Sequence, residues 1–171
     1  YHARDYRAIV GDPLYDPNRH TRVQRLYWRA DGTPLFGVPV GQGGPIVRLS
    51  PADAPRAFVT QRDFVARVDT AFGDLADTQF RFGPGLAGAG TESIASVGHP
   101  DRYLRVLDGV VRLDPVVAGS AEALSASFHR IDRGNGIMIQ LAGDPTRYLR
   151  HEHGRLTVGP AAGTRTVFLR G

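Results

Sequence analysis

Apolar and polar residues alternate with a period of two over many short runs of this chain, as in β-strands with one buried face. From residue 46 onward these runs are separated by clusters of Gly, Pro and Asp, which are the usual residues of tight turns. The 3.6-residue apolar period of an amphipathic helix is nearly absent. The pattern therefore predicts an all-β protein.

One strand-like run recurs, each time led by an arginine. Its copies are Arg147-Tyr148-Leu149-Arg150-His151, Arg102-Tyr103-Leu104-Arg105-Val106 and, more faintly, Arg56-Ala57-Phe58-Val59-Thr60. The leading arginines are 46 and then 45 residues apart, and self-similarity at a fixed period indicates repeated supersecondary units. We therefore predict three repeats, at about residues 45–86, 90–133 and 134–171.

Each repeat carries the signals of four short strands. An opening strand leads through a Pro-bearing turn to the Arg-led strand, and a tight turn then leads to a third strand. The third strands are expected at residues 64–66, 110–113 and 155–158, and the last strands centre on Phe80, Phe128 and Phe168. Twelve strands in three repeats predict a pseudo-threefold β-trefoil with these phenylalanines in its core. A β-propeller has as many strands per repeat, but three blades are too few to close its ring.

Residues 1–41 have a different pattern. Loops rich in Gly, Pro and Asp precede a β-rich run at residues 21–28, and Asp31-Gly32 is a strong hairpin turn before a partner strand at residues 35–37. An isolated hairpin is marginally stable in water, so we expect this segment to be the outer part of a larger sheet. The run Gly41-Gln42-Gly43-Gly44-Pro45 reads as a short, flexible boundary.

Composition narrows the classes of function. All 21 basic side chains are arginines, 17 acidic residues accompany them, and the net charge is only +4. Nucleic-acid-binding proteins concentrate positive charge on one face, so this balance disfavours a nucleic-acid partner. No apolar run approaches the ~18 residues of a membrane span, which disfavours a membrane partner. The absence of Cys excludes disulfides and thiolate metal sites.

Residues 45–171 resemble a known family. The segment from Ser93 through Arg105, with Leu113-Asp114-Pro115 and Ala126-Ser127-Phe128, is similar to the C-terminal domain of arabinofuranosidase B, which is carbohydrate-binding module family 42. The resemblance implies a β-trefoil that binds arabinofuranose side chains of arabinoxylan or arabinan. It also implies that each complete pocket combines a His directly after Tyr-Leu-Arg with an Asp just before the last-strand Phe.

Transferred onto this chain, the resemblance implies sugar-binding roles for His151, Tyr148 and Arg150 in the third repeat and for Asp77 in the first. The two partners are not found together in any repeat. In the third repeat Arg165 replaces the Asp, and in the first Thr60 replaces the His. In the second repeat both positions differ, with Val106 and Ser125. The sequence therefore leaves open whether any pocket is complete.

Residues 1–41 resemble the closing segment of a glycoside hydrolase family 43 catalytic domain, a five-bladed β-propeller. The resemblance rests on Tyr1-His2-Ala3, on the strand at residues 22–28 and on residues 31–37. It implies that His2 faces a metal ion on the axis of the parent propeller, whereas the β-trefoil has no cofactor. The three catalytic carboxylates of that family belong to blades that precede this segment.

Three functions are weighed on these grounds. The first is the C-terminal portion of a secreted α-L-arabinofuranosidase-like hydrolase, in which the β-trefoil binds an arabinose-containing polysaccharide and the propeller precedes it. The second is a degenerate β-trefoil that docks on the propeller and binds no sugar, because the His/Asp pair is incomplete. The third, catalysis within residues 1–171, would need an acid and a base in one cleft, and the sequence shows no such pair.

Overall fold

The computed structural model describes residues 27–28, 32–35 and 45–171. Over these residues it consists of β-strands and three short 3-10 helices, which confirms the all-β prediction. The strands are β1 Tyr27–Trp28, β2 Pro34–Leu35, β3 Ile46–Val47, β4 Leu49–Pro51, β5 Phe58–Arg62, β6 Val65–Asp69, β7 Phe80–Pro84, β8 Glu92–Ser96, β9 Arg102–Leu107, β10 Val110–Pro115, β11 Phe128–Arg133, β12 Gly136–Leu141, β13 Asp144–Glu152, β14 Arg155–Gly159 and β15 Phe168–Arg170. The 3-10 helices are Leu75–Thr78, Ala123–Ala126 and Gly163–Thr166.

Strands β1 and β2 pair antiparallel, with Tyr27 opposite Leu35 and Trp28 opposite Pro34. Gly32 lies between them with φ of +80°, in the left-handed region that glycine adopts without a steric penalty. The hairpin predicted around Asp31-Gly32 is therefore present in the described residues. The remainder of the segment 1–41 lies outside them, and the proposed boundary between residues 41 and 45 stays a prediction.

Seven strands form a closed ring with six places, because β3 and β4 are consecutive and share one place. Strand β3 pairs with β7, β7 with β8, β8 with β11, β11 with β12, β12 with β15, and β15 with β4, which follows β3 directly. Closure leaves no unpaired edge in this ring, which removes the aggregation hazard of an open sheet. It also brings β15, at the end of the chain, beside β4 in the first repeat.

Three hairpins pack together at one end of the ring. They are β5–β6, β9–β10 and β13–β14, and each contacts the other two through β6, β10 and β14. Their turns have positive φ at two successive residues, namely Asp63 and Phe64, Asp108 and Gly109, and His153 and Gly154. Two-residue turns of this kind match the right-handed twist of the flanking strands.

The third strand of the first repeat was expected to start at Phe64, but Phe64 belongs to the first of these turns. Phe64 has φ of +61° and occupies the turn position that glycine takes in the other two hairpins, so the third strand begins at Val65. A phenylalanine in this conformation is strained. Its ring compensates with contacts, because the Arg102 guanidinium lies 3.7 Å from its centroid and the His99 ring lies 5.1 Å from it, edge to face.

The core lies between the ring and the hairpins. Phe80, Phe128 and Phe168 are each 0–1% exposed, which confirms their predicted core positions. Each is the first residue of a ring strand, namely β7, β11 and β15. Around them pack the buried aliphatic residues of the other strands, among them Leu49, Ile94, Leu104, Leu113, Ile137 and Leu149.

The strand register aligns the first repeat with the other two one residue later than the leading arginines of the sequence suggest. In the three hairpins, the fully buried inward residues are Val59, Leu104 and Leu149, which lie opposite Val68, Leu113 and Val158. The interval between these positions is 45 residues both times. Ala57, rather than Arg56, therefore corresponds to Arg102 and Arg147, because a one-residue slip would turn every side chain to the opposite face.

The same register changes which residue stands at the histidine position of the first repeat. Gln61 corresponds to Val106 and His151, whereas Thr60 corresponds to Arg105 and Arg150. The equivalence extends to a hydrogen bond, since Gln61 Oε1 accepts from the backbone N–H of Phe64 at 2.9 Å. His151 accepts from the matching turn residue, Gly154. The assignment of Thr60 to that position was wrong by one residue.

Candidate functional site

The histidine predicted to bind sugar is held by the turn that follows it. His151 is the penultimate residue of β13, and its Nε2 accepts a hydrogen bond from the backbone N–H of Gly154 at 3.3 Å. The accepting nitrogen must carry a lone pair, so the neutral ring has its proton on Nδ1. The turn thereby fixes both the orientation and the tautomer of the ring.

The other ring nitrogen of His151 lies next to a carboxylate from a distant part of the chain. Nδ1 is buried and makes no hydrogen bond within the described residues. Asp53 Oδ1 lies 3.8 Å from it, just beyond hydrogen-bond distance. A hydroxyl group placed against both atoms would accept from Nδ1–H and donate to the carboxylate.

Asp53 lies in the turn between β4 and β5, in the first repeat. The turn reaches the third repeat because β15 pairs with β4, with Phe168 opposite Pro51. Arg165 also faces this carboxylate, and its Nε is 3.9 Å from Asp53 Oδ2. The Arg165 side chain is 59% exposed, so this is a solvent-screened pair of little energetic value. Arg165 stands at the position of the family's Asp, and it faces the carboxylate of Asp53 instead of supplying one.

Sequence reasoning missed Asp53. It is 98 positions from His151 and lies outside every recurring motif. The equivalent residues of the other repeats are glycines. Gly98 follows the end of β8, and Gly143 the end of β12, by the same number of residues as Asp53 follows the end of β4. Only the pairing of the last ring strand with the first brings the two side chains together. The available signal was the threefold pattern itself, since a closed ring must place the first turn beside the third repeat.

Tyr148 and Arg150 occupy the opposite face of β13 from His151, because successive side chains of a strand alternate. The Tyr148 hydroxyl accepts from Gln140 Nε2 at 3.1 Å, and Arg150 Nη2 donates to Glu152 Oε2 at 2.8 Å. The structure therefore does not bring them to the His151–Asp53 pair. Their implied sugar-binding roles stay predictions.

Asp77 lies apart from His151, in the 3-10 helix Leu75–Thr78 of the first repeat. Its Oδ1 is 3.3 Å from His99 Nε2, and both side chains are about three-quarters buried or more. His99 belongs to the turn between β8 and β9 in the second repeat, so this contact links two repeats in the same way that Arg165 and Asp53 do. The structure thus gives Asp77 a partner in the fold, and its sugar-binding role stays a prediction.

Neither a three-residue metal site nor a membrane-spanning helix is present in the part of the chain that the structure describes. Within residues 27–28, 32–35 and 45–171, no group of three His, Asp or Glu side chains is arranged to hold a metal ion. His2, for which a metal role was predicted, lies outside these ranges. Over the same residues, the structure contains no helix with the length and apolar character that a membrane crossing requires.

A known protein family matches most of this chain. The family described as the "Alpha-L-arabinofuranosidase B (ABFB) domain" matches residues 47–169. This range contains the three hairpins, the His151–Asp53 pair and all of the ring except its first residue, Ile46, and its last, Arg170.

Curated relatives carry arabinofuranosidase names. The chain is 41% identical over 177 aligned positions to "Alpha-L-arabinofuranosidase 43" of Humicola insolens, a match that covers 95% of this chain and 37% of that protein. It is 52% identical over 94 positions to the "Extracellular exo-alpha-(1->5)-L-arabinofuranosidase" of Streptomyces avermitilis, covering 55% of this chain and 20% of that one. The chain therefore spans well under half the length of these relatives.

A solved structure shares the fold. It is an arabinofuranosidase in complex with arabinofuranosyl-alpha-1,2-xylobiose, with a TM-score of 0.67 and 19% sequence identity. The superposition covers 77% of this chain and 32% of that one. At this identity the likeness concerns the fold alone.

Proposed function

The chain belongs to the alpha-L-arabinofuranosidase B domain family, and we propose that residues 45–171 are a β-trefoil that binds arabinofuranose side chains of hemicellulose. The closed ring with six places and the three mutually packed hairpins support the β-trefoil. The names of the relatives support arabinose-containing polysaccharide, such as arabinoxylan or arabinan, as the ligand.

We further propose that the parent protein is a secreted α-L-arabinofuranosidase in which residues 1–41 end the catalytic propeller. The match to the Humicola insolens protein covers 95% of the chain and so extends well upstream of the family domain. The relative from Streptomyces avermitilis is described as extracellular, which supports secretion. The two regions would then place a binding domain beside an enzyme that acts on the same polysaccharide.

The observation that carries the binding proposal is the His151–Asp53 pair. A neutral sugar offers hydroxyl groups, each of which can donate and accept a hydrogen bond. Nδ1–H of His151 supplies a buried donor without a partner in the described residues, and the Asp53 carboxylate supplies the acceptor 3.8 Å away. The carboxylate that the family places in the same repeat would thus be provided by the neighbouring one.

We expect the binding to be weak and to depend on His151. A hydrogen bond contributes about 0.5–1.5 kcal/mol net, and about 1.4 kcal/mol corresponds to a tenfold change in affinity. The variant His151→Gln should fold, because Gln61 makes the same turn bond in the first repeat. Its amide N–H donors lie one bond farther from the backbone than Nδ1–H does, out of place for a hydroxyl group held by Asp53. We predict that the variant weakens binding of arabinotriose about tenfold, measured by titration calorimetry on residues 1–171.

A matched control is available two residues away. His153 is an exposed turn residue with φ of +48°, a conformation that asparagine tolerates, so His153→Asn should leave the affinity for arabinotriose unchanged. Equal affinities of the wild type and His151→Gln would remove His151 from the site. Equal weakening by both variants would point to a change in the hairpin rather than to a lost ligand contact.

A degenerate, purely structural domain is the second candidate. It is favoured by Arg165, which occupies the position where the family carries a carboxylate. On this hypothesis the chain binds no arabinotriose, and the domain serves to stabilise the preceding propeller. Saturable binding by the wild-type chain in the same titration would reject it.

A further inference from the structure

A cavity opens in the first repeat, on the β5–β6 hairpin and the loop that follows it. Its volume is about 220 Å³, below the ~300–1,000 Å³ of pockets for drug-sized ligands, which suits a single sugar residue. Its walls include Thr60, Arg67, Asp69 and Phe72. None of these residues belongs to the His151–Asp53 pair.

The cavity exists because a short residue replaces a long one. Thr60 corresponds in register to Arg105 and Arg150, whose side chains fill the matching space in the other repeats. Arg105 Nε donates to Ser125 Oγ at 3.0 Å, and the Arg150 guanidinium packs directly on Gly159. Asp69, which lines the cavity, is the counterpart of Gly159. The first repeat thus has an open site where the others are occupied.

Polar groups of this cavity lack partners in the fold. Thr60 is 4% exposed, and neither its Oγ1 nor Arg67 Nε makes a hydrogen bond within the described residues. Buried polar groups without partners are costly, and a ligand in the cavity is one way to satisfy them. Their chemistry is that of a hydroxyl and a guanidinium donor, both of which suit sugar hydroxyls.

Asp69 adds a fixed acceptor. Its Oδ1 accepts from the backbone N–H of Ala71 at 3.0 Å, and this bond lowers the pKa of the carboxyl below its ordinary value, with Arg62 and Arg67 acting in the same direction. The carboxylate is therefore ionised at neutral pH. Arg62 and Arg67 also line the cavity, so it presents charges of both signs. The hydroxyl groups of a neutral sugar can donate to the carboxylate and accept from the guanidinium groups.

The remaining wall is aromatic. Phe72 is 36% exposed, and its ring packs edge to face on Phe58, with centroids 6.3 Å apart. The Arg48 guanidinium lies 3.5 Å from the Phe58 centroid and 5.3 Å from that of Phe72, which holds the pair in place. An anchored, partly exposed ring offers an apolar surface to the C–H face of a sugar.

We propose that this cavity is a second saccharide site, which takes one neutral sugar residue through Asp69, Arg67 and Thr60 against the Phe72 ring. The inference rests on the proposed function, since it assigns the same class of ligand to another place on the domain. Gln61, which also lines the cavity, stands at the position of the family's histidine, and Asp77 is engaged with His99. The polar groups of this site therefore differ from the family's His/Asp arrangement.

The test is a titration of residues 1–171 with arabinotriose, which should show two sites in the wild type. Thr60→Arg installs the residue found at the equivalent positions of the other repeats, so the chain should fold while the cavity is filled, and one site should remain. Asp69→Asn keeps the Oδ1 acceptor for Ala71 and removes the charge. It should weaken the cavity site about tenfold, and it decides the matter if circular dichroism shows that Thr60→Arg is unfolded.

His151→Gln separates this inference from the proposed function. If Thr60→Arg loses one site and His151→Gln loses the other, the cavity site and the proposed His151 site are both supported. Two sites retained in Thr60→Arg, or in Asp69→Asn with unchanged affinities, would overturn the cavity site even if His151→Gln loses one. One site lost only in the cavity variants would support the inference and reject the His151 site. Saturation by galacturonate but not by arabinotriose would overturn the neutral-sugar assignment.

Discussion

Replacing Phe128 with alanine is expected to lower the free energy of unfolding by roughly 3–5 kcal/mol. Phe128 is 1% exposed and begins β11, where it lies opposite Glu92 of β8 and Leu141 of β12. The truncation would leave a cavity where the second and third repeats join, and the closed ring has little freedom to collapse around it. Because a whole domain is stable by only about 5–15 kcal/mol, this loss is a large share.

Urea denaturation followed by circular dichroism measures this effect as a shift of the midpoint at unchanged slope. Leu107→Ala is the control, since Leu107 is 40% exposed at the end of β9 and should change stability by less than about 0.5 kcal/mol. Equal midpoints for the two variants would mean that the three phenylalanines do not form the main core.

Adding a single methyl group at Gly136 is the second large effect, and we expect Gly136→Ala to destabilise the fold by about 1–3 kcal/mol. A Cβ at this position would lie 2.8 Å from the Phe168 carbonyl oxygen and 2.7 Å from Val167 Cγ1. The carbonyl is backbone of the segment that closes the ring, because Gly136 lies opposite Leu169 of β15. Relief of the clash would therefore require β15 to move away from β12.

Gly83→Ala is the matched control. Gly83 also lies in a ring strand, β7, but the nearest atom to a Cβ there is Ser93 Oγ at 3.6 Å, an ordinary contact. Alanine should be neutral or slightly stabilising, because glycine within a strand costs conformational entropy. Thermal unfolding of both variants by differential scanning calorimetry would separate them, and equal melting temperatures would contradict the close approach at Gly136.

The two ring mutations also matter for the proposed binding site. Asp53 reaches His151 only because β15 pairs with β4, so a shift of β15 would change the separation of the two side chains. A sugar held by both would then bind more weakly in Gly136→Ala than in Gly83→Ala. Stability and affinity are linked at this position through the closure of the ring.

Strand positions were predictable from the sequence because their signals are local. Two-residue alternation and turn residues located the hairpins, and burial of Phe80, Phe128 and Phe168 followed from their place at the start of the last strand in each repeat. His151, whose ring is held by the turn that follows it, was singled out by the resemblance of its strand to the family, and its sugar-binding role stays a prediction. These features depend on neighbours a few residues away, which the sequence displays directly.

Register and long-range contacts depended on the tertiary structure. The faint first copy was aligned one residue out, because Arg56 resembles the arginines of the other copies although the buried Val59 fixes the true phase. Asp53 came to His151 across 98 positions through ring closure, and the cavity at Thr60 arose from the absence of a side chain present in the other repeats. The sequence alone was enough to predict an all-β protein that resembles the C-terminal domain of arabinofuranosidase B. Which side chains face one another was decided by packing, since burial of one strand face selects the register and closure selects the neighbours.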